Sequence, residues 1–469
     1  MSILISSLLF SFATFFSRIL GLLRDVFFAK YFGVSYLLDA YFISIMFPFF
    51  LRKVFGEGAM SSAFVPLYSE KKEKDEFLSS VINGFSLIIF TLLSITYIFP
   101  EIIVNLFGAG ATQQTKEIAA NLIFITAPAT YFIFLWAISY SIYNTKDSFF
   151  WPALTPSISN IFIIIGILFS KKYGIYAPTI GFLIGSIIMF FSLSKSLFSH
   201  RYYFTLKYFP EFIRYFIPTF FTMTISQVNT IVDMNVSSFF SEGSISYLQY
   251  ASRFYLLPYG LFAVSVSTVV LSKISSNRHL FKNHVNNALK TTLLFTIPSS
   301  VGLIYLSQEI IKFFYEHGQF SQNDTLITSK ILIAYSIGLP FYGIYSTISR
   351  SFHAMKNTKI PFYATLYVSI SNIALDLIFG IKWGPTGVAF ATSIAGMIGS
   401  IYLIFKIKTF PILDLFKIFS SSIIMLFGIV VLKNVHFLIQ ILLAIIIYFF
   451  VSYIFYRNLI KEAINVKKK

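Results

Sequence analysis

The sequence is a series of long apolar segments separated by short polar ones. Apolar stretches of about 18 residues or more recur from end to end, and each is long enough to cross the hydrocarbon core of a bilayer as a helix. The segments do not alternate polar and apolar positions, so they predict helices and not the strands of a membrane barrel. We predict fourteen transmembrane helices, at about residues 3–31, 36–66, 77–107, 117–143, 152–171, 175–197, 211–240, 245–272, 287–313, 325–353, 358–380, 384–405, 412–432 and 436–457.

The composition agrees with a membrane protein. Of 469 residues, 56% are hydrophobic and 12% are charged, which is far from the balance of a soluble domain. There is no cysteine, so disulfides and thiolate metal sites are excluded. The net charge of +17 could suggest nucleic acid. If the N-terminus is cytoplasmic, however, most Lys and Arg residues fall in cytoplasmic loops, so we predict both termini inside and no nucleic-acid partner.

The second half of the chain repeats features of the first. The tetrapeptide Ser-Ile-Ser-Asn occurs at 157–160 and at 369–372, and Tyr173-Gly174 is followed about 210 residues later by Trp383-Gly384. A shared offset predicts two parallel lobes with a site between them near the membrane midplane. The predicted fold is an all-α polytopic membrane protein with two pseudo-symmetric six-helix lobes, 1–205 and 206–408, and two additional helices with a basic tail in 409–469.

Charged residues inside the apolar segments suggest an anion-binding cavity. An arginine that faces lipid at a helix centre costs about 2.5–3.5 kcal/mol, so Arg24, Arg52 and Arg253 are expected to face a wet interior. Guanidinium groups from both lobes could hold a phosphate or pyrophosphate by forked hydrogen bonds. The alternative is that the arginines form internal ion pairs with Asp25 or Asp39 that only lock helices together.

Two further features concern the first two helices. Arg18 precedes Arg24 by six residues, so the two share a helix face only if the helix is broken, and Gly21 offers a place for a break. A gate is expected in the second helix. The predicted gate residues are Gly56, Glu57 and Gly58.

A second polar cluster is predicted in the C-terminal lobe. Asn372 and Asp376 are four residues apart and share a helix face, while Asp233 and Thr392 lie on other helices. Carboxylate, amide and hydroxyl oxygens suit a hard cation. Hydrogen bonding between helices is the equally weighted alternative. No H-E-x-x-H motif and no P-loop occur in the sequence, so we do not expect an enzyme or a pump that hydrolyses ATP.

These residues lie in motifs that resemble the MurJ (MviN) family of lipid II flippases. The segments that carry the likeness are SRILGLLRD at 17–25, LRKVFGEGA at 51–59, YASR at 250–253 and LPYGLF at 257–262. The resemblance implies the MOP exporter fold with fourteen helices. It implies export of the undecaprenyl-pyrophosphate-linked peptidoglycan precursor, lipid II, from the inner to the outer leaflet of the bacterial cytoplasmic membrane by alternating access. It also implies that the last two helices line a groove for the polyprenyl tail.

The resemblance assigns roles to individual residues. Arg24, Arg52 and Arg253 correspond to the pyrophosphate-binding triad and Asp25 to its orienting carboxylate. Ser252 departs from the pattern, because many family members have Asp beside this arginine, which leaves the local partner of Arg253 open. The further cavity residues are Ser17, Arg18 and Asp39. The residues that correspond to a sodium site are Asp233, Asn372, Asp376, Thr392 and the carbonyl of Val388.

We therefore expect a monomeric flippase with lipid II and membrane lipids as its partners. Sodium, the membrane potential or both are expected to drive its cycle, and no other cofactor is expected. One alternative is another MOP exporter, for an oligosaccharide-lipid or for cationic drugs, although a cation exporter would need more carboxylates than arginines in its first lobe. The other alternative is a scaffold for a cell-wall complex that transports nothing.

Overall fold

The computed structural model describes residues 3–465 except 147, 277 and 434. Over these residues the structure is helical and contains no strand, and helix is present along all fourteen predicted spans. The contacts divide the chain into unit 1, Met1–Ser246 with His317–Ser321, and unit 2, Tyr247–Glu316 with Gln322–Lys469. The predicted lobes follow a sequence repeat and the units follow packing, so the lobe boundary stays a prediction.

Unit 1 is built from the N-terminal helices. They are α1 (Ile3–Phe32), α2 (Tyr36–Val54), the π-helical segment π1 (Phe55–Ala59), α3 (Met60–Glu70), α4 (Lys74–Ile98), α5 (Pro100–Gly108), α6 (Gln113–Thr126), α7 (Ala129–Thr145), α8 (Phe150–Leu154), α9 (Pro156–Leu168), α10 (Ser170–Tyr173), α11 (Tyr176–Phe191), α12 (Lys195–Phe198) and α13 (Phe209–Ser237).

The core of unit 1 contains a group of phenylalanines around π1. The ring of Phe55 meets those of Phe85 and Phe216 with centroids 5.7 and 5.8 Å apart. Phe85 also packs on Phe134 at 5.3 Å. One of these contacts is edge-to-face and two are tilted, and edge-to-face ring pairs are favourable beyond the area they bury. They hold π1, α4, α7 and α13 together.

Unit 2 contains the remaining helices. They are α14 (Ser244–Pro258), which begins in unit 1, the π-helical segment π2 (Tyr259–Val264), α15 (Ser265–Ser276), a 3₁₀ turn (Arg278–Leu280), α16 (Phe281–Tyr305), α17 (Ser307–Tyr315), α18 (Gln322–Ala354), α19 (Lys359–Trp383), α20 (Pro385–Ile407), α21 (Ile412–Val431) and α22 (Phe437–Asn465).

One apolar cluster organises unit 2. Leu289 of α16, Ile348 of α18 and Leu403 of α20 are fully buried in it, and Ile418 brings α21 into the same core. The last two helices therefore pack on the body of unit 2 although they lie outside the repeat.

The described helices include many that could span a membrane. Nine are long and apolar enough to do so, or ten if the bent pair α6–α7 is one span. Helices α1 and α2 are not among them, and these two carry Arg24, Asp25, Asp39 and Arg52. The number of fourteen membrane crossings therefore stays a prediction, whereas the helical, multi-pass architecture is confirmed.

Backbone geometry matches the predicted repeat at two glycines. Gly174 ends α10 with φ 56° and ψ −144°, and Gly384 ends α19 with φ 59° and ψ −142°. A positive φ costs glycine little and most other residues much more, so both turns favour glycine. Each turn joins two closely packed helices, α9 with α11 in one unit and α19 with α20 in the other.

The helix breaks agree only in part with the sequence. Pro128 lies at a 45° bend between α6 and α7, as expected of an intramembrane proline. The suggested break at Gly21 is wrong, because α1 continues through this residue. Arg18 and Arg24 therefore lie on different faces of one helix, the first exposed and the second buried.

Residues 199–208, here called the strap, connect α12 to α13 and lie along α4. The amide of Tyr203 donates to Ser79 Oγ at 3.0 Å, and Lys207 and the Tyr208 hydroxyl both donate to the carboxylate of Glu73. The Tyr208 hydroxyl, followed by Lys207, lowers the pKa of Glu73 to about 2. The carboxylate thus stabilises the strap above its ordinary pKa, and this contribution is lost as the pH falls towards 2.

Candidate substrate-binding site

The best-defined charged group inside the described helices is Arg24 of α1. Only 8% of Arg24 and 2% of Asp25 is exposed. Arg24 Nε and Nη2 both donate to Asp25 Oδ1, at 2.9 and 2.6 Å, and Nη1 donates to Asn160 Oδ1 at 3.1 Å. A buried guanidinium requires such partners, since an unpaired buried charge is strongly unfavourable. Asp25 therefore holds the Arg24 guanidinium, and its role towards a substrate stays a prediction.

The side chains of α2 near π1 are arranged around Phe49. The guanidinium carbon of Arg52 lies 4.5 Å from the centroid of this ring, and Lys53 Nζ lies 5.4 Å from it. Such cation–π contacts contribute about 0.5–2 kcal/mol, depending on how far water is excluded. Arg52 is half-buried and lies one helical turn before the predicted gate.

Asp39 has a more specific position than the sequence predicted. Its carboxylate accepts the Gly243 amide at 2.7 Å and the Ser246 amide at 2.9 Å, and the Ser246 hydroxyl at 2.6 Å. These donors surround the first turn of α14, where unpaired amides and the helix dipole favour a negative charge. Asp39 therefore caps α14 in this conformation, and its predicted contact with substrate stays a prediction.

Ser17 and Arg253 are the next candidate cavity residues. The backbone carbonyl of Ser17 accepts a long 3.5 Å hydrogen bond from Asn160 Nδ2. Arg253 lies half-buried on α14 within unit 2. The neighbouring Ser252, where many family members have Asp, donates its hydroxyl to the Gln249 carbonyl of the same helix at 2.9 Å. The convergence of the three predicted arginines stays a prediction.

The predicted gate residues occupy π1. The segment Phe55–Ala59 is π-helical and contains Gly56, Glu57 and Gly58. A Cβ atom at Gly56 would lie 2.5 Å from Trp136 Cζ3, so only glycine allows the π turn to approach this ring. Trp136 is itself fixed by a 2.7 Å hydrogen bond from Nε1 to Thr155 Oγ1. π-helical turns occur frequently at functional sites.

Four of the five predicted sodium ligands lie on neighbouring helices of unit 2. Asn372 and Asp376 are fully buried on α19, and Asn372 Nδ2 donates to Asp376 Oδ2 at 2.7 Å. On α20, Thr392 Oγ1 donates to the Val388 carbonyl at 3.1 Å. Asp233, the fifth, lies on α13 in unit 1.

The donor set fits a hard cation and not a transition metal. In the described part of the chain, no three His, Asp or Glu residues form a group that could hold a metal ion. The oxygens of Asp376, Asn372, Thr392 and Val388 are the ligand type that hard cations take. Because the amide nitrogen of Asn372 is used on Asp376, the amide oxygen is its atom for a cation.

Comparison with known proteins identifies the family. A family model described as lipid II flippase MurJ matches residues 28–458. The chain belongs to the MurJ family. The "Lipid II flippase MurJ" of Thermosipho africanus (strain TCF52B) is 70% identical over 475 residues and covers 100% of both chains. The "Probable lipid II flippase MurJ" of Thermotoga maritima is 42% identical over 429 residues, covering 91% of this chain and 90% of its own.

Solved structures agree with this family. A structure described as "Lipid II flippase MurJ, inward closed conformation" has 71% identity and a TM-score of 0.93, and covers 97% of this chain and 100% of its own. A second structure is a multidrug resistance MATE family transporter of the MOP superfamily in an inward-facing conformation. Its TM-score is 0.70 at 13% identity, and the match covers 87% of this chain and 96% of the transporter chain. This second likeness shows the fold alone. Together they confirm the predicted MOP-type fold of MurJ proteins and a multi-pass cell membrane protein.

Sequence reasoning missed two residues that position the candidate site. Asn160 holds the Arg24 guanidinium, and Trp136 supports the π turn of the predicted gate. A signal for Asn160 was present, since it occupies the repeat position of Asn372 in the second Ser-Ile-Ser-Asn segment. No comparable pattern marks Trp136.

Proposed function

We propose that this chain is a lipid II flippase that moves its substrate between leaflets by alternating access. The observation that carries the proposal is the buried Arg24 guanidinium, fixed by Asp25 and Asn160, in a chain that is 70% identical to a lipid II flippase. A guanidinium presents a rigid fork of donors that matches phosphate oxygens. The substrate carries a pyrophosphate, which is the part that an apolar membrane excludes most strongly.

The proposed binding step uses Arg24, Arg52 and Arg253 together. With the cavity open to the cytoplasm, the three arginines bind the pyrophosphate while the sugar-peptide head group stays in water. Binding neutralises positive charge, which favours closure on the inner side and opening on the outer side. Asp25 then offers the arginines a replacement anion when the substrate leaves.

The polyprenyl tail is proposed to remain in lipid along the last two helices. These helices carry large exposed apolar side chains, including Leu413 at 80%, Phe427 at 65% and Phe450 at 67% exposure. An apolar surface of this kind is compatible with lipid chains as well as with an isoprenoid. No covalent bond is made or broken in this cycle, so the protein is not expected to be an enzyme.

The proposed setting is the bacterial cytoplasmic membrane, with both termini in the cytoplasm. Lys and Arg are concentrated in loops that this orientation places inside. The chain is proposed to act as a monomer with lipid II and membrane lipids as partners.

The arginine triad is tested by complementation of a strain depleted of its flippase. Arg24→Ala, Arg52→Ala and Arg253→Ala each remove one anion-binding group and are expected to abolish growth or reduce it severely. Arg214→Ala is the matched control, because Arg214 is exposed and lies outside the predicted site. Membrane levels of each variant are measured by immunoblot so that loss of growth is assigned to function.

Full rescue by all three variants at normal membrane levels would contradict the triad. It would favour the alternative in which the chain is a scaffold of a cell-wall complex. Rescue without any lipid II exposure on the outer leaflet, followed with a lipid II-binding probe, would exclude transport altogether.

We also propose that a sodium ion binds near Asp376. Asn372, Asp376, Thr392 and Val388 present oxygens from two packed helices, and Asp233 is the further ligand that the family resemblance implies. A bound sodium ion would supply positive charge beside a carboxylate that is fully buried.

Thermal unfolding of the purified protein tests this site without a transport assay. The unfolding temperature is expected to be higher in NaCl than in KCl, because a ligand that binds the native state stabilises it by mass action. Asp376→Asn should remove this difference, whereas Asp324→Asn, a carboxylate of unit 2 outside the site, should retain it. A sodium-dependent shift that is unchanged in Asp376→Asn would count against the site.

A further inference from the structure

Asn160 is an uncharged partner of the Arg24 guanidinium from a different helix. Asp25 is the immediate neighbour of Arg24 on α1, so the ion pair between them does not connect α1 to any other helix. Asn160 lies on α9, and its Oδ1 accepts from Arg24 Nη1 at 3.1 Å. This hydrogen bond therefore connects the Arg24 guanidinium to a second helix of unit 1.

The orientation of the Asn160 amide follows from its neighbours. Arginine only donates hydrogen bonds, so the atom that faces Nη1 must be the amide oxygen. The amide nitrogen then faces the Ser17 carbonyl at 3.5 Å. Gly21 lies beside it, and even a Cβ atom at this position would stay 3.8 Å from Asn160 Nδ2. Asn160 thus contacts α1 on both sides of Gly21.

The sequence repeat gives this position a counterpart. Asn160 and Asn372 each end a Ser-Ile-Ser-Asn segment, on α9 and on α19. Asn160 accepts from a cationic group, whereas Asn372 donates to the carboxylate of Asp376 at 2.7 Å. Each unit therefore uses the amide at this position to hold a buried charged side chain, with the amide end that suits the sign of the charge.

We propose that Asn160 is a positioning residue that presents Arg24 to the substrate pyrophosphate, an inference that rests on the proposed function. Asp25 already supplies one negative charge, and a neutral second acceptor fixes the guanidinium without adding another. A second carboxylate at this place would form a stronger hydrogen bond but would compete with the phosphate for the same cation. The amide thus orients Arg24 and adds no further negative charge at the site.

Two substitutions at Asn160 distinguish positioning of Arg24 from a purely structural role. Asn160→Leu removes the oxygen that accepts from Arg24 and keeps a side chain of similar size. Asn160→Asp loses only the long contact with the Ser17 carbonyl and strengthens the contact with Arg24, so a structural role through Arg24 would be preserved. Anion binding would be weakened by the added negative charge. Both variants are therefore expected to bind lipid II more weakly. For Asn160→Leu the loss is roughly ten- to a hundred-fold, as for loss of a hydrogen bond to a charged group.

The experiment measures lipid II affinity of the purified full-length protein for the wild type, both Asn160 variants, Arg24→Ala and the double variant Arg24→Ala/Asn160→Leu. Asn83→Leu is the matched control, since Asn83 donates to the strap carbonyls of Tyr203 and Thr205 and touches no predicted site residue. If Asn160 acts through Arg24, the Leu substitution should change affinity little in the Arg24→Ala background. Asn83→Leu should bind like the wild type.

Each outcome decides between the two proposals. Weak binding by Arg24→Ala together with wild-type binding by Asn160→Leu and Asn160→Asp would overturn the role of Asn160 and leave the proposed function intact. An Asn160→Leu defect that persists undiminished without Arg24 would also overturn it. Wild-type binding by Arg24→Ala would instead remove the Arg24 site of the proposed function. If Asn160→Leu does not fold, Asn160→Asp alone decides, because wild-type affinity in that variant contradicts the inference.

Discussion

Two acidic residues of unit 1, Asp25 and Asp39, show how position determines what a buried carboxylate does. Asp25 accepts from the guanidinium of its neighbour, whereas Asp39 accepts from the first turn of α14. The sequence placed both in one charged cavity. It could not show the helix cap, because the donors at residues 243–246 lie about 200 positions further along the chain. Local spacing carries no information about such a partner.

The substitution Asp39→Ala is expected to release the first turn of α14. Removing an N-terminal cap costs about 0.5–2 kcal/mol, and the amides of Gly243 and Ser246 lose their acceptor. Hydrogen exchange of the peptide that contains these amides should accelerate by about ten-fold, which corresponds to about 1.4 kcal/mol. Glu101→Ala, which removes an exposed acidic residue in the first turn of α5, serves as the control. Unchanged exchange in Asp39→Ala would show that the cap contributes nothing.

Among the secondary-structure elements, α16 carries the attachment of the two C-terminal helices. Pro298 has no amide hydrogen, so the carbonyl of Leu294, four residues earlier, loses its helical partner. The Tyr448 hydroxyl of α22 donates to this carbonyl at 2.5 Å. One turn before Leu294, Lys290 pairs with Asp414 of α21 at 2.8 Å. Both polar contacts therefore lie on one face of α16, where they attach α21 and α22.

Tyr448→Phe is expected to lower the unfolding temperature of the detergent-purified protein. The substitution leaves the Leu294 carbonyl without its donor in apolar surroundings, and hydrogen bonds of this kind in membrane proteins contribute about 0.6–1.7 kcal/mol. Tyr453→Phe removes a hydroxyl from an exposed position of the same helix and should leave the unfolding temperature unchanged. Equal effects of the two substitutions would mean that the hydrogen bond from Tyr448 to the Leu294 carbonyl adds no stability of its own.

The elements themselves were largely predictable from the sequence, and their interruptions only in part. Apolar length marks the helices because a bilayer requires every backbone group to be paired within a segment. The π1 turn depends on Gly56 meeting Trp136, a contact between distant residues, and Gly21 shows that a glycine alone does not break a helix. The candidate arginines were found because charge in an apolar helix is costly, whereas Asn160 is neutral and its role depends on which group it meets.

For the whole molecule, the distribution of Lys and Arg is the feature that determines its orientation. The chain carries 36 basic against 19 acidic residues, and the basic ones cluster in loops on one side of the predicted spans. Translocating such loops is unfavourable, so they are expected to remain in the cytoplasm. Orientation matters for function because a flippase must open first to the leaflet on which its substrate is made.

Cysteine labelling tests this orientation directly, because the chain has no cysteine of its own. Lys72 lies in the α3–α4 connection and Lys171 lies on α10, and both side chains are exposed. With both termini inside, a membrane-impermeant maleimide should label Lys171→Cys in intact cells and Lys72→Cys only after the cells are opened. Each substitution removes a single basic residue, which is a small change against the excess that sets the orientation. The reverse pattern would place the binding step on the outer leaflet and would be incompatible with export of a precursor made in the cytoplasm.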